Sequence, residues 1–182
     1  MRIMEEAVIF ARDLGIRIIQ LAGYDVYYNE ASNVGSKERF LENLAQSAML
    51  AARHGVILAL ETMENNFMNT IEKAMYYVNE VGSPYLQVYP DMGNVSNGTE
   101  NVTQDIRTGK GHIVAAHLKE TVPGIFRDMR FGEGKVDFET VICCLKKQGV
   151  RSFTAEFWWD GKADWEDTLV FSHDFLVRYL TR

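Results

Sequence analysis

Four short apolar runs in this chain each end in a residue that can bind a metal ion or move a proton. "LALE" ends in Glu61, "LQVYPD" in Asp91, "IVAAH" in His117 and "FTAE" in Glu156. A carboxylate at the end of a buried strand is costly when unpaired, or takes up a proton instead. Each therefore calls for an Arg or Lys partner, a metal ion or a substrate. One acid in such a place often serves only as a helix N-cap or as the partner of a nearby Lys. Four residues at equivalent places in successive units form a stronger pattern. Hard oxygen donors with one imidazole make a divalent-metal site, and Mn, Mg, Zn or Co would suit it.

The elements that must position these residues follow a recurring unit: an amphipathic helix, a glycine, then a strand-like run. "MEEAVIFARDLG" leads into "IRIIQLAG", and "SKERFLENLAQSAMLAARHG" into "VILALETM", with Phe40, Leu44, Ala48 and Ala52 at helical spacing. "NTIEKAMYYVNEVGSP" leads into "YLQVYPDMGN", with Asn69 and Glu72 spaced as a capping box. "TENVTQDIRTG" leads into "HIVAAHLKE", "DFETVICCLKKQG" into "FTAEFWWD", and a last helix runs from about Asp164. Glycine after each helix suits a left-handed C′ position, and the strands are apolar throughout.

Such alternation predicts an α/β fold with a parallel sheet, either doubly wound or part of a (β/α)8 barrel. No G-x-G-x-x-G or P-loop supports the nucleotide-binding form of the first. Strand starts near residues 17, 56, 85, 112 and 152 are spaced at roughly the unit size of a ~250-residue barrel. Only five strands are seen and the chain opens inside a helix. As a barrel, residues 1–182 would be a single domain forming its C-terminal five-eighths.

Composition narrows the class. With 182 residues, 47% hydrophobic, the chain can bury a sizeable core, and a net charge of −6 argues against a nucleic-acid backbone as partner. No apolar run reaches membrane-spanning length, and "MRIMEEAVIF" has acids where a signal peptide needs bases. Cys143 and Cys144 are adjacent, without ligand spacing, and read as a core-filling pair on a helix. A cytoplasmic location is expected. The sequons at Asn94, Asn97 and Asn101 read as loop and capping residues.

"GIRIIQLAGYDVYYNEA", "LALETMENNFMNTIEKA", "YPDMGNVS", "GHIVAAHLKETVPGIF", "RFGEGKVDFE" and "AEFWWD" occur in that order along nearly the whole chain. Together they resemble the L-ribulose-5-phosphate 3-epimerase family of xylose-isomerase-like TIM barrels. The resemblance implies an isomerase interconverting L-xylulose 5-phosphate and L-ribulose 5-phosphate. It implies a divalent metal held by Glu61, Asp91, His117 and Glu156. Family members are longer, so the resemblance implies that about 100 N-terminal residues, with the first three strands, are missing from this chain. Removal of the C3 proton beside the C2 carbonyl gives an enediolate, which a metal on O2 and O3 would stabilise. Inversion needs an acid/base on each face, and Glu61 and Glu156 are the pair implied.

Other positions are more open. Lys119 shares a strand face with His117 and either touches substrate oxygens or the phosphate, or pairs with Glu120 or another loop acid. Gly132 and Gly134 offer backbone N–H groups to an anion or simply form a turn, and Arg130 is a candidate phosphate partner. His112 is expected to be structural. Trp158 or Trp159 could wall the sugar pocket, the tyrosines of "GYDVYY" could cover the substrate, and Asp25 reads as a turn residue. Endonuclease IV shares this barrel but uses a multi-zinc cluster with several histidines, whereas only one of four here ends a strand suitably. A non-phosphorylated ketose epimerase, a hydroxypyruvate-isomerase-like enzyme, or a non-catalytic fragment are the alternatives. A chain with two open strand edges is expected to self-associate, a homodimer being the simplest form.

Overall fold

The structure, a computed structural model, describes residues 1–159, 161, 163 and 165–181. The repeating unit of the sequence is borne out. In chain order the elements are α1 (Arg2–Asp13), β1 (Ile18–Ala22), α2 (Val34–His54), β2 (Ile57–Glu61), α3 (Ile71–Val81) and β3 (Leu86–Tyr89). There follow α4 (Met92–Gly98), α5 (Val102–Thr108), β4 (Ala116–Leu118), α6 (Phe138–Lys147), β5 (Phe153–Ala155) and α7 (Trp165–Leu180). The expected start of the last helix, Asp164, lies outside the described residues.

Strand order distinguishes the two architectures. β1, β2 and β3 pair in parallel and in sequence, as do β4 and β5. Parallel bridges Val88↔Ile113 and Asp91↔His117 join the two groups. A doubly wound sheet reverses its order and carries helices on both faces. Here the order never reverses, and the helices pack each on a neighbour along one face. The result is an arc of a (β/α) barrel, and among the described residues the strands do not close.

Period-two alternation divides the strands between two environments. Leu58, Leu60, Leu86 and Val88 are fully buried under the helices in the main core. Their neighbours Ala59 and Tyr89 face the other way, into a small cluster with Ala115, Ile18 and Val114. That inner face also carries Gln20, Glu61, Gln87 and Thr154. Burial therefore anchors β2 and β3 from outside and leaves the inside free for polar chemistry.

The fourth strand differs from its expected form. It was read from His112, but regular pairing resumes only at Ala116. Three residue steps separate Val88 from Asp91, whereas four separate their bridge partners Ile113 and His117. The extra residue is a β-bulge, and consecutive Val114 and Ala115 both reach the inner cluster as a result. Unbulged pairing would set Ala116 opposite Asp91; the bulge sets His117 there.

Helix ends follow local chemistry with some departures from expectation. Gly55 and Gly82 close α2 and α3 with φ of +68° and +61°. α3 is capped by Thr70, which accepts from Lys73 N–H, rather than by Asn69. Buried Asp105 also accepts from the N–H groups of Ile71 and Glu72, at 2.8 and 3.1 Å. Asn94 and Asn97 lie in α4, a helix the sequence reading did not separate, while Asn101 caps α5. Only Cys144 packs on the core and Cys143 is exposed, since neighbours on a helix cannot share a face.

Gly109, after α5, is not left-handed: a Cβ there would meet Ile71 Cγ2 at 2.7 Å and Ile113 Cγ1 at 2.9 Å. Gly109→Ala is therefore expected to cost about 1–3 kcal/mol by overpacking. Urea denaturation would measure it, and an unchanged midpoint would mean that the two isoleucines give way.

Candidate metal centre

Each strand end contributes to one cluster. Glu61 is the last residue of β2. Asp91 follows β3 through Pro90, His117 lies within β4, and Glu156 follows β5. One donor atom from each of the four lies within 4.8 Å of all the others. Glu61 and Asp91 are buried, and His117 and Glu156 partly so. His117 Nδ1 sits 2.6 Å from Glu61 Oε1 and 2.7 Å from Glu156 Oε2. A single ring proton cannot serve both, and Glu156 Oε2 is left without an aligned donor.

Asp91 unites two roles that the sequence left as alternatives. Its Oδ1 caps α4 by accepting from Asn94 N–H at 2.7 Å. Oδ2 lies 2.9 Å from Lys119 Nζ, yet out of line for a hydrogen bond. Lys119 also reaches Glu156 Oε1 at 3.2 Å. Thus Lys119 pairs with the cluster itself and not with Glu120. With His117 neutral, three carboxylates against one ammonium leave two negative charges uncompensated. A divalent cation has the charge this donor set lacks, so the residues fit such an ion.

Without an ion, the cluster holds protons in place of that charge. Burial opposes a charged His117, but hydrogen bonds and charge from Glu156 and Glu61 prevail and lift its pKa to about 9. Burial pushes Asp91 up to about 7, against the pull of Lys119. Glu156 is also disfavoured by burial, but His117 and Lys119 bring it down to about 2. Lys119 is held above its ordinary value: burial lowers it, and Asp91 and Glu156 more than offset that.

Three contributors escaped sequence reading. Gln20 on β1 donates its amide Nε2 to Glu61 Oε2 and so fixes that carboxylate. The available signal was a lone amide in an otherwise apolar strand. Tyr89 sets its ring edge-on to His117, centroids 4.8 Å apart, with its hydroxyl 2.8 Å from Thr154 Oγ1. Glu120, buried, accepts from the backbone N–H groups of Thr121, Gly132 and Val136 at 3.1, 2.7 and 3.1 Å.

That last set corrects the glycine-loop expectation. The anion that Gly132 serves is Glu120, and Gly134 is needed because a Cβ would collide with Glu120 Oε1 and Thr121 O. Arg130 is likewise engaged, its guanidinium 3.6 Å from the centroid of Phe171. His112 meets Gln87 Oε1 at 3.1 Å. Asp25 accepts from Ser32 and Ser36, each at 2.6 Å, and so ties its loop to the start of α2. Tyr24 donates to Glu64 at 2.7 Å, while Tyr27 and Tyr28 are exposed. Trp158 and Trp159 are exposed as well.

A family model for the xylose isomerase-like TIM barrel matches residues 1–179. A protein of Shigella sonnei (strain Ss046) named L-ribulose-5-phosphate 3-epimerase UlaE is 43% identical over 177 residues, covering 97% of this chain and 62% of its own length. The protein of that name from Escherichia coli O139:H28 is 48% identical over 149 residues, 82% of this chain and 52% of its own length. The chain thus spans about half to three-fifths of these relatives. Among solved structures, an L-ribulose 3-epimerase superposes with a TM-score of 0.80 at 20% identity, covering 99% of this chain and 66% of its own. A D-tagatose 3-epimerase-like protein gives 0.82 at 18%, covering 97% and 67%.

Two measurements test the centre. A His117 pKa near 9 means that an ion binding at pH 8 must displace its proton. Titration of Mn²⁺ by calorimetry in two buffers should then show about one proton released per ion, with affinity falling as pH drops. Gln20→Leu should weaken binding by about 10–100-fold through loss of the carboxylate's support; unchanged affinity would remove Gln20 from that role.

Proposed function

The chain belongs to the xylose isomerase-like TIM barrel family, and from that premise we propose that it carries the reacting centre of a ketose-phosphate 3-epimerase. Its substrates in this reading are L-ribulose 5-phosphate and L-xylulose 5-phosphate, the sugar phosphates to which its relatives' name points. Glu61, Asp91, His117 and Glu156 would hold a divalent ion, whose identity the donor set leaves among Mn, Mg, Zn and Co. When bound, that ion would supply Lewis-acid stabilisation of negative charge on O2 and O3.

The single observation carrying this reading is that the carboxylates of Glu61 and Glu156 flank one imidazole nitrogen, at 2.6 and 2.7 Å. Epimerisation at C3 needs a base on one face and an acid on the other. One glutamate accepts the C3 proton and the charge spreads to the C2 carbonyl oxygen as an enediolate. The second, which must start the turnover as the carboxylic acid, gives its proton to the opposite face, and the reverse reaction exchanges their roles. His117 sets its Nδ1 between the two carboxylates, where it would be a ligand to the ion. Lys119, held between Asp91 and Glu156, places an ammonium beside the oxygens where negative charge develops. Gln20 keeps Glu61 in one rotamer by its amide contact.

The test is exchange of the C3 proton of L-ribulose 5-phosphate in D2O by the Mn²⁺-loaded protein, read by NMR. The expected outcome is deuterium at C3 together with L-xylulose 5-phosphate. Glu61→Gln and Glu156→Gln should each slow epimerisation by at least about 100-fold. Exchange of the L-ribulose 5-phosphate proton undiminished in both variants would overturn the two-carboxylate assignment. A folded, metal-loaded chain with no exchange would overturn the assignment of activity to this chain.

A further inference from the structure

Between β2 and β3 the parallel ladder stops one rung short of the ligand cluster. Leu58 pairs with Leu86, and its N–H donates to Tyr85 O at 2.9 Å. A parallel ladder repeats evenly along the strands. The N–H groups of Gln87, Tyr89 and Asp91 would therefore return in turn to the carbonyls of Leu58, Leu60 and Thr62. The last of these rungs is replaced by side chains. Asp91 N–H donates to the Thr62 hydroxyl at 2.9 Å, and that hydroxyl donates to Asp91 O at 3.2 Å. The carbonyl of Thr62, freed from the ladder, accepts from the Asn94 side-chain amide at 2.9 Å.

This exchange of partners sits between two of the ligand candidates. Thr62 directly follows Glu61. Asp91 caps α4 through Oδ1, and its Oδ2 lies beside Lys119. On the far side of the same backbone, Pro90 O accepts from His117 N–H at 2.9 Å. The Thr62 hydroxyl thus fixes Asp91 beyond the last regular pair, while the chain after it turns into α4. Thr62 and Asp91 are fully buried and Asn94 nearly so. Loss of the hydroxyl would leave the Asp91 N–H buried without a partner. The backbone from which the carboxylate projects would then be free to shift.

Resting on the metal-centre reading above, we propose that Thr62, with Asn94, is the positioning residue that holds Asp91 in register with Glu61 for the divalent ion. It touches neither the ion nor the sugar and acts through the Asp91 carboxylate.

The test is Mn²⁺ binding by calorimetry, with the visible spectrum of the Co²⁺-loaded protein, for the wild type, Thr62→Val and Thr62→Ser. Valine keeps the shape and removes the hydroxyl, whereas serine keeps the hydroxyl. Thr62→Val should weaken Mn²⁺ binding by about 10–100-fold, the usual effect of losing a group that orients a ligand. It should also move the Co²⁺ bands, and Thr62→Ser should restore most of the affinity and the wild-type spectrum. Gly109→Ala, which disturbs packing at Ile71 and Ile113, controls for stability and should bind as the wild type does. Wild-type affinity and spectrum in Thr62→Val overturn the proposal. So does an equal loss in Thr62→Ser or in Gly109→Ala. If Thr62→Val does not fold, Asn94→Ala decides: weaker binding with moved Co²⁺ bands supports the proposal, and unchanged binding overturns it. A wild-type chain that takes up no ion overturns the metal reading and this proposal together. Proton exchange at C3 enters neither measurement, so failure of the epimerase reading is seen separately.

Discussion

The structure depends on how three carboxylates are held within hydrogen-bond distance of one another's partners in a largely dry space. Glu61 and Asp91 are buried, and Glu156 shares His117 Nδ1 with Glu61. Bringing such charges together is unfavourable unless opposite charge and donors accompany them. Several features can be read as answers to that constraint. Lys119 reaches two of the carboxylates, His117 retains a proton against burial, and Gln20 gives its amide to Glu61. Asp91 spends one oxygen on a helix N-terminus, whose exposed N–H groups favour negative charge.

Precision comes from the opposite side of the sheet. Leu58, Leu60, Leu86 and Val88 are locked under helices, so the alternate residues on the inner face have little freedom in where they emerge. Parallel register then lines up the ends of β2 and β3, pairing Glu61 with Tyr89. The bulge at Val114 and Ala115 performs the last adjustment by placing His117 opposite Asp91. Apolar burial and polar chemistry are thus coupled through the backbone ladder rather than through direct contact.

This division explains what could be read from the residues. Strand existence, parallel order and the four strand-end ligand candidates were legible because they repeat, and repetition turns a weak local signal into a strong one. Features that depend on which oxygen meets which donor were not legible. The spacing of Asn69 and Glu72 fitted a capping box, yet Thr70 caps α3 and Asp105, 34 residues further on from Ile71, supplies the second acceptor. Gly132 and Gly134 suggested an anion site, and the anion proved to be Glu120 of the same loop. The bulge was hidden because an extra apolar residue in "HIVAAHL" leaves no mark on an apolar run. Arg130 looked free until Phe171, distant in sequence, was found beneath it.

Holding three acids together in one place shapes the composition of the cluster. Without an ion, a set of three acids alone would drive its strand ends apart or take up protons at random. Here the His117 proton and the Lys119 ammonium supply positive charge beside the acids. Both are reversible: the imidazole can release its proton to become a ligand, and the lysine stem can shift while its charge remains. Neither placeholder fully satisfies the donors, since Asp91 Oδ2 and Glu156 Oε2 lack aligned hydrogen bonds. The residual mismatch would favour an ion that supplies the charge and the bonding directions these two oxygens lack. A cluster satisfied completely by its own chain would be more stable and would have no reason to bind metal.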